Sequence, residues 1–153
     1  MSVVTGSETK PQSRSVIEIR QDWTREAVAL MHRDHKRLWQ DWENLIAAIE
    51  GTCDRQVFRR CLAVLIAGAR EHFRNEEWAM RVTGFDELAV HSDDHKKWLR
   101  DADDMLVNLD LALRPDDWPA LATVFRYRIQ RHEDRYDRAL QQHIETIENR
   151  VRT

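Results

Sequence analysis

Only seven residues that interrupt helices, four Gly and three Pro, punctuate this chain of 153. Gly51, Gly84 and the segment from Pro115 to Pro119 divide it into four long stretches in which apolar residues recur every three or four positions. That period belongs to helices with one buried face, and strand-length alternation and internal repeats are both absent. Short turns between four long helices make neighbours in sequence neighbours in space. The expected fold is therefore all-α, an antiparallel up-down-up-down four-helix bundle.

Residues 1–20 are polar and rich in Ser and Thr, and are expected to form a flexible arm ahead of a single domain spanning 21–153. The first helix is expected from about Trp23 to Glu50, with Gly51 suited to its end and Asp54 to the cap of the second. The second ends near Thr83 and Gly84, Asp86 is placed to cap the third, and the third runs to about Leu113. The Asp and Pro residues between Arg114 and Pro119 then signal the start of a fourth helix that continues to the C-terminus.

Composition removes several classes of function. A net charge of −3 with interspersed signs suggests neither nucleic acid nor an anionic membrane as partner. No run of about 18 apolar residues and no secretory leader pattern is visible, so a cytoplasmic location is expected. Cys53 and Cys61 do not form a zinc motif, and reduced structural thiols are the expectation.

The inward stripes carry the functional signal. The first reads Met31, His35, Leu38, Trp42, Leu45, Ile49, and the second Phe58, Leu62, Leu65, Ala69, His72, Glu76, Met80. The third reads Leu88, His91, His95, Trp98, Ala102, Met105, Leu109, and the fourth Phe125, Ile129, His132, then Tyr136 or Asp137, Leu140, Ile144. Each is apolar except where it carries His, Glu or Asp. Glu76 and His72 lie 8 and 12 residues before Gly84, while His91 and His95 lie 7 and 11 after it, so they fall at one height in an antiparallel pair. His132 and Asp137 match His95 and His91 in the same way around Pro115, and His35 fits more loosely. Burying five imidazoles and two carboxylates in one layer costs several kcal/mol for each unpaired charge, which metal coordination would offset.

The donor types restrict the metal. Imidazole and carboxylate without thiolate suit iron, manganese or zinc, and seven donors exceed what one tetrahedral zinc uses. If Glu76 and Asp137 bridge two metals together with a solvent-derived oxygen, one metal with three histidines reaches six-coordination. The other, with two, reaches five and keeps an open position.

The run HFRNEEWAMRVTGF, then HSDDH, then the His132-to-Asp137 spacing HxxxxD, resembles the hemerythrins, particularly the single-domain bacterial ones, the bacteriohemerythrins. The resemblance covers about residues 23–145 and includes all seven donor positions. It implies that His91, His95 and His132 hold one iron and His35 and His72 the other, with Glu76 and Asp137 bridging. It also implies a pair of iron ions (Fe2+/Fe3+) joined by an oxo or hydroxo group that binds dioxygen without haem, for carriage, storage or sensing. Dioxygen or another small diatomic molecule is then the expected ligand.

Leu38, Phe73 and Ile129 are expected to wall the oxygen pocket with apolar surface. Trp39, Trp42, Trp78 and Trp98, beside the donor turns, are read as core. His32 sits at the edge of the buried stripe and suits a supporting role rather than ligation. Glu133 departs from the resemblance, which places an apolar residue directly after the fourth-helix histidine. At about 100° per residue, His132 and Asp137 lie about 140° apart on an α-helix, with Glu133 between them. Glu133 is thus expected more centrally on the inward face than either donor, pointing into the oxygen pocket, the alternative being a small helix rotation that turns it toward solvent or an Arg on another helix. A carboxylate there would shift the site from reversible carrier toward a redox-active protein, of an oxidase or peroxidase type or one handling iron or nitric oxide.

Overall fold

The computed structural model describes residues 16–51, 54–109 and 114–152. Helix α1 spans Val16–Gly51, α2 Arg55–Thr83 and α3 Leu88–Asn108. A single 3-10 turn at Pro115–Asp117 leads into α4, Trp118–His132, which passes through one π turn, Glu133–Asp137, into α5, Arg138–Arg152. His132, Glu133 and Arg138 all keep right-handed helical dihedrals, so α4 and α5 form one continuous helical rod. No strand occurs among the described residues, and the chain is an all-helical bundle.

The helix ends follow their local chemistry, with three differences from expectation. Asp54 caps α2 by accepting hydrogen bonds from the backbone N–H groups of Gln56 at 2.7 Å and Val57 at 3.3 Å. Gly84 closes α2 with φ 68°, and the N–H groups of Gly84 and Phe85 donate to the carbonyls of Arg81 and Met80. A left-handed residue is needed for that closure, which explains a glycine there. Asp86, in contrast, does not cap α3. The capping position falls at Glu87, whose side chain makes no capping hydrogen bond. Helix α1 begins at Val16, inside the segment expected as an arm. Residues 1–15 and Cys53 lie outside the described residues. Helix α3 stops at Asn108 rather than near Leu113, and residues 110–113 are also outside the described set.

Contacts between successive helices pair rising residue numbers with falling ones. Asp34 meets Asn75 and Arg37 meets Glu71 across α1 and α2, while Arg70 meets Asp103 and Glu77 meets His95 across α2 and α3. Asp101 with Arg128 and Asp94 with His132 continue the pattern from α3 to α4. Gly68 lets α1 and α2 approach closely, since a Cβ there would lie 3.1 Å from an Asp41 carboxylate oxygen and 3.2 Å from Leu38 Cδ2.

The apolar core is divided in two. One cluster contains Trp42, Leu45, Leu65, Phe73, Trp98 and Phe125, and the other Ala27, Met31, Ala79, Met80, Leu140 and Ile144. On each rod the chain crosses from one cluster to the other near the positions that carry His35, His72 and Glu76, His91 and His95, or His132 and Asp137. A polar layer therefore separates two apolar plugs that exclude water from both sides. Of the four tryptophans read as core, Trp42 and Trp98 are buried, Trp78 is half-buried and Trp39 is 43% exposed, because it falls on the outer flank of α1. No described helix is long and apolar enough to cross a membrane.

Candidate metal centre

The polar layer brings all seven expected donors together in two overlapping groups. Glu76, His91, His95, His132 and Asp137 form one, and His35, His72, Glu76 and Asp137 the other, with the donor atoms of each group within 4.8 Å of one another. Glu76 and Asp137 belong to both.

At the first corner, His132 Nε2 lies 3.2 Å from His91 Nε2 and 3.1 Å from His95 Nε2. Asp137 Oδ1 is 3.1 Å from His91 Nε2 and 3.0 Å from His132 Nε2, and Glu76 Oε2 is 3.2 Å from His95 Nε2. Metal–ligand bonds of about 2.1 Å at right angles set adjacent donors about 3 Å apart, so these separations match one shared cation. At the second corner the other oxygen of each carboxylate takes over. Glu76 Oε1 is 3.4 Å from His72 Nε2 and 4.0 Å from His35 Nε2, and Asp137 Oδ2 is 3.7 Å from His35 Nε2. Each carboxylate thus turns one oxygen to each corner.

Among the described residues, neither buried oxygen of Glu76 has a hydrogen-bond partner, and neither does His35 Nε2. Glu76 is fully buried. Buried acceptors left without donors, with imidazole nitrogens converging on them, fit a cation better than a hydrogen-bond network. The cluster can hold metal.

Electrostatics agree with that chemistry. Burial lowers His72 to about 3, helped by the charge of His35, and lowers His95 to about 2, helped by His132 and His91. Both rings therefore stay neutral, as a metal ligand must. Burial opposes ionisation of Asp137, yet hydrogen bonds from His132 and His91, with the His35 imidazole close by, hold it well below the usual carboxylate range. Glu76 is pushed well above that range by burial and by the neighbouring Asp137. For His35 and His132 burial works against a charge, but Asp137 outweighs it and both are raised. Without metal, protons on these rings offset the charge of Asp137.

The π turn explains how His132 and Asp137 share a corner. The N–H of Arg138 donates to the carbonyl of Glu133, five residues back. That extra residue in the turn brings position i+5 beneath position i, where a regular α-helix would leave them about 140° apart. The expectation that Glu133 lies more centrally than either donor is therefore corrected: His132 and Asp137 are each 5% exposed, whereas Glu133 is only half-buried. Glu133 nevertheless lines a pocket with Leu38, Phe73 and Ile129, alongside His35 and His72. The four residues expected around the oxygen pocket thus share one cavity at the two-histidine corner.

Three acids missed in the sequence lie beside the donors, and two of them support rings from outside. Glu77 Oε1 lies 3.1 Å from His95 Nδ1 and Asp94 Oδ2 lies 2.7 Å from His132 Nδ1. Carboxylates there fix each ring with its proton on Nδ1 and its lone pair on Nε2, facing the centre. Asp34, fully buried beside His35, is the third. Each is adjacent in sequence to a donor, which is the signal that was available. His32 is exposed, and His143 donates to or packs at the end of α2, with Nε2 3.1 Å from the carbonyl of Thr83.

Compared with known proteins, the chain matches no family model, no curated protein and no solved structure at a significant level. Function is therefore argued from the site.

Proposed function

We propose that this chain is a hemerythrin-like, non-haem di-iron protein that binds dioxygen, or another small diatomic molecule, for carriage, storage or sensing. One observation carries the reading: Glu76 and Asp137 each direct one oxygen to a three-histidine corner and the other to a two-histidine corner. Such a division suits two cations sharing two carboxylates, and an all nitrogen and oxygen donor set suits iron. His91, His95 and His132 would hold one ion and His35 and His72 the other. An iron pair supplies the redox change that lets a neutral diatomic bind. The chain supplies the enclosing walls and the asymmetry. The reading includes an antiparallel up-down-up-down order of the rods, supported by the opposed numbering of the contacts between successive helices.

The two-histidine corner has fewer donors, and the cavity lined by Leu38, Phe73 and Ile129 opens on it. Apolar walls favour a small neutral ligand over water. The test is anaerobic loading with ferrous iron followed by exposure to air. An absorbance band that forms and then reverses under argon is the expected result, and uptake of fewer than two irons per chain would refute the reading.

A second reading, a redox-active di-iron protein, is favoured by Glu133. A carboxylate at the wall of the ligand pocket, which Arg126 also lines, offers a hydrogen-bonding and proton-carrying group where a carrier gains from having none. Rapid, irreversible oxidation on the same exposure to air, with release of peroxide, would select it.

A further inference from the structure

Asp34 is fully buried, yet its partners do not account for a buried acid. Asn75 donates to Oδ2 at 2.6 Å, a neutral amide. Oδ1 has no hydrogen bond among the described residues, and its nearest cationic neighbour, Arg33 Nε, lies 3.7 Å away on a side chain that is 65% exposed. A second unmatched atom lies close by. His72 Nδ1 is also buried without a hydrogen-bond partner. Asn75 follows His72 by three positions on α2, so its bond to Asp34 sets that carboxylate within one helical turn of His72. Asp34 is among the acids whose charge acts on the His72 ring.

We infer that Asp34 is the positioning residue for His72, accepting a hydrogen bond from its Nδ1–H so that Nε2 presents a lone pair to the two-histidine corner. The inference rests on the metal-centre reading above. Its logic is that of the other corner, where Glu77 and Asp94 take the outer nitrogens of His95 and His132. The two-histidine corner thereby gains an acid of its own. A buried acid and a buried N–H, each without a partner, are complementary. A cation drawing electron density from Nε2 strengthens that N–H as a donor. Asp34 also lends negative charge to a site that gathers four positive charges when filled with ferrous ions.

The test uses the full chain with cobalt(II) as a spectroscopic probe, and Asp34→Asn and Asp34→Ala as variants. Asparagine keeps an acceptor but loses the charge, whereas alanine loses both. Affinity for the second cobalt ion is expected to fall about 10-fold in Asp34→Asn and about 100-fold in Asp34→Ala, the range found for outer partners of metal ligands. The first ion is expected to bind as in the parent. Melting of the metal-free variants separates this role from a structural one: Asp34→Asn removes a buried charge and is expected to melt no lower than the parent. Unchanged affinity for both ions, or equal losses at both, overturns the assignment. A parent chain that binds no metal overturns the centre itself, and Asp34 with it.

Discussion

On the di-iron reading, stripping the metal is the perturbation with the largest expected effect, because the candidate donors tie every rod of the bundle to every other. His35 comes from α1, His72 and Glu76 from α2, His91 and His95 from α3, and His132 and Asp137 from the α4–π–α5 rod. An unfolded chain cannot gather seven donors spread over a hundred residues, so binding belongs to the native state alone. For one site at a free metal concentration 100 times its dissociation constant, the gain is about 2.7 kcal/mol, and two sites give about 5 kcal/mol. In a chain of this size each kcal/mol shifts the midpoint by about 2–4 °C, so the loaded protein is expected to melt about 10–20 °C above the metal-free one. Calorimetry or circular dichroism under argon, with ferrous iron and then with a chelator, makes the measurement. A difference below about 2 °C at saturating iron would refute the argument that these seven groups form a common site.

The two corners are expected to respond differently to mutation: His72→Ala leaves about one iron per chain by elemental analysis, whereas Glu76→Ala, which removes a donor shared by both corners, leaves almost none. Glu133→Ile removes the carboxylate from the pocket wall and is expected to slow oxidation of the air-exposed di-ferrous protein at least several-fold; equal rates would remove Glu133 from the chemistry. In the metal-free chain, nitrogen NMR is expected to find His72 and His95 still neutral at pH 5, since their values lie near 3 and 2. A histidine lowered on folding stabilises the fold above 6.5 and loses that contribution as pH falls, whereas His35 and His132, both raised, contribute fully below 6.5 and lose it as pH rises. Doubly protonated His72 at pH 5 would contradict the burial argument.

How much of this was visible in the sequence differs between residues. The gathering of His, Glu and Asp groups in one layer was legible because a His or Glu in an apolar stripe is costly, and four such interruptions at one height leave few explanations. The cap at Asp54 and the end of α2 near Gly84 were legible because they depend on immediate neighbours. The acids behind the rings were not. Asp34, Glu77 and Asp94 stand one position away from a donor, at angles that a helical projection assigns to the flank, where charged residues are ordinary. Only the approach of a neighbouring helix turns Asp94 toward His132 on α4, or Asp34 toward Asn75 on α2. The same applies to Trp39, whose surroundings depend on which flank of α1 its neighbours cover.

The π turn was hidden for a different reason, and it couples two properties of the site. Projection at about 100° per residue presumes the regular geometry that the HxxxxD spacing violates. Asp137 reaches the corner of His132 only because one extra residue is taken up between them, and Glu133 is the first residue of that turn. Its carbonyl closes the five-residue hydrogen bond, while its side chain faces the cavity beside His35 and His72. The distortion that brings Asp137 to the corner of His132 therefore also decides what stands at the pocket wall. An apolar residue at position 133 would preserve the turn, whose bond uses only backbone, and would change the pocket alone. Ligand chemistry can in this way vary through residue 133 while the two-corner geometry stays with His132, Asp137 and the turn between them.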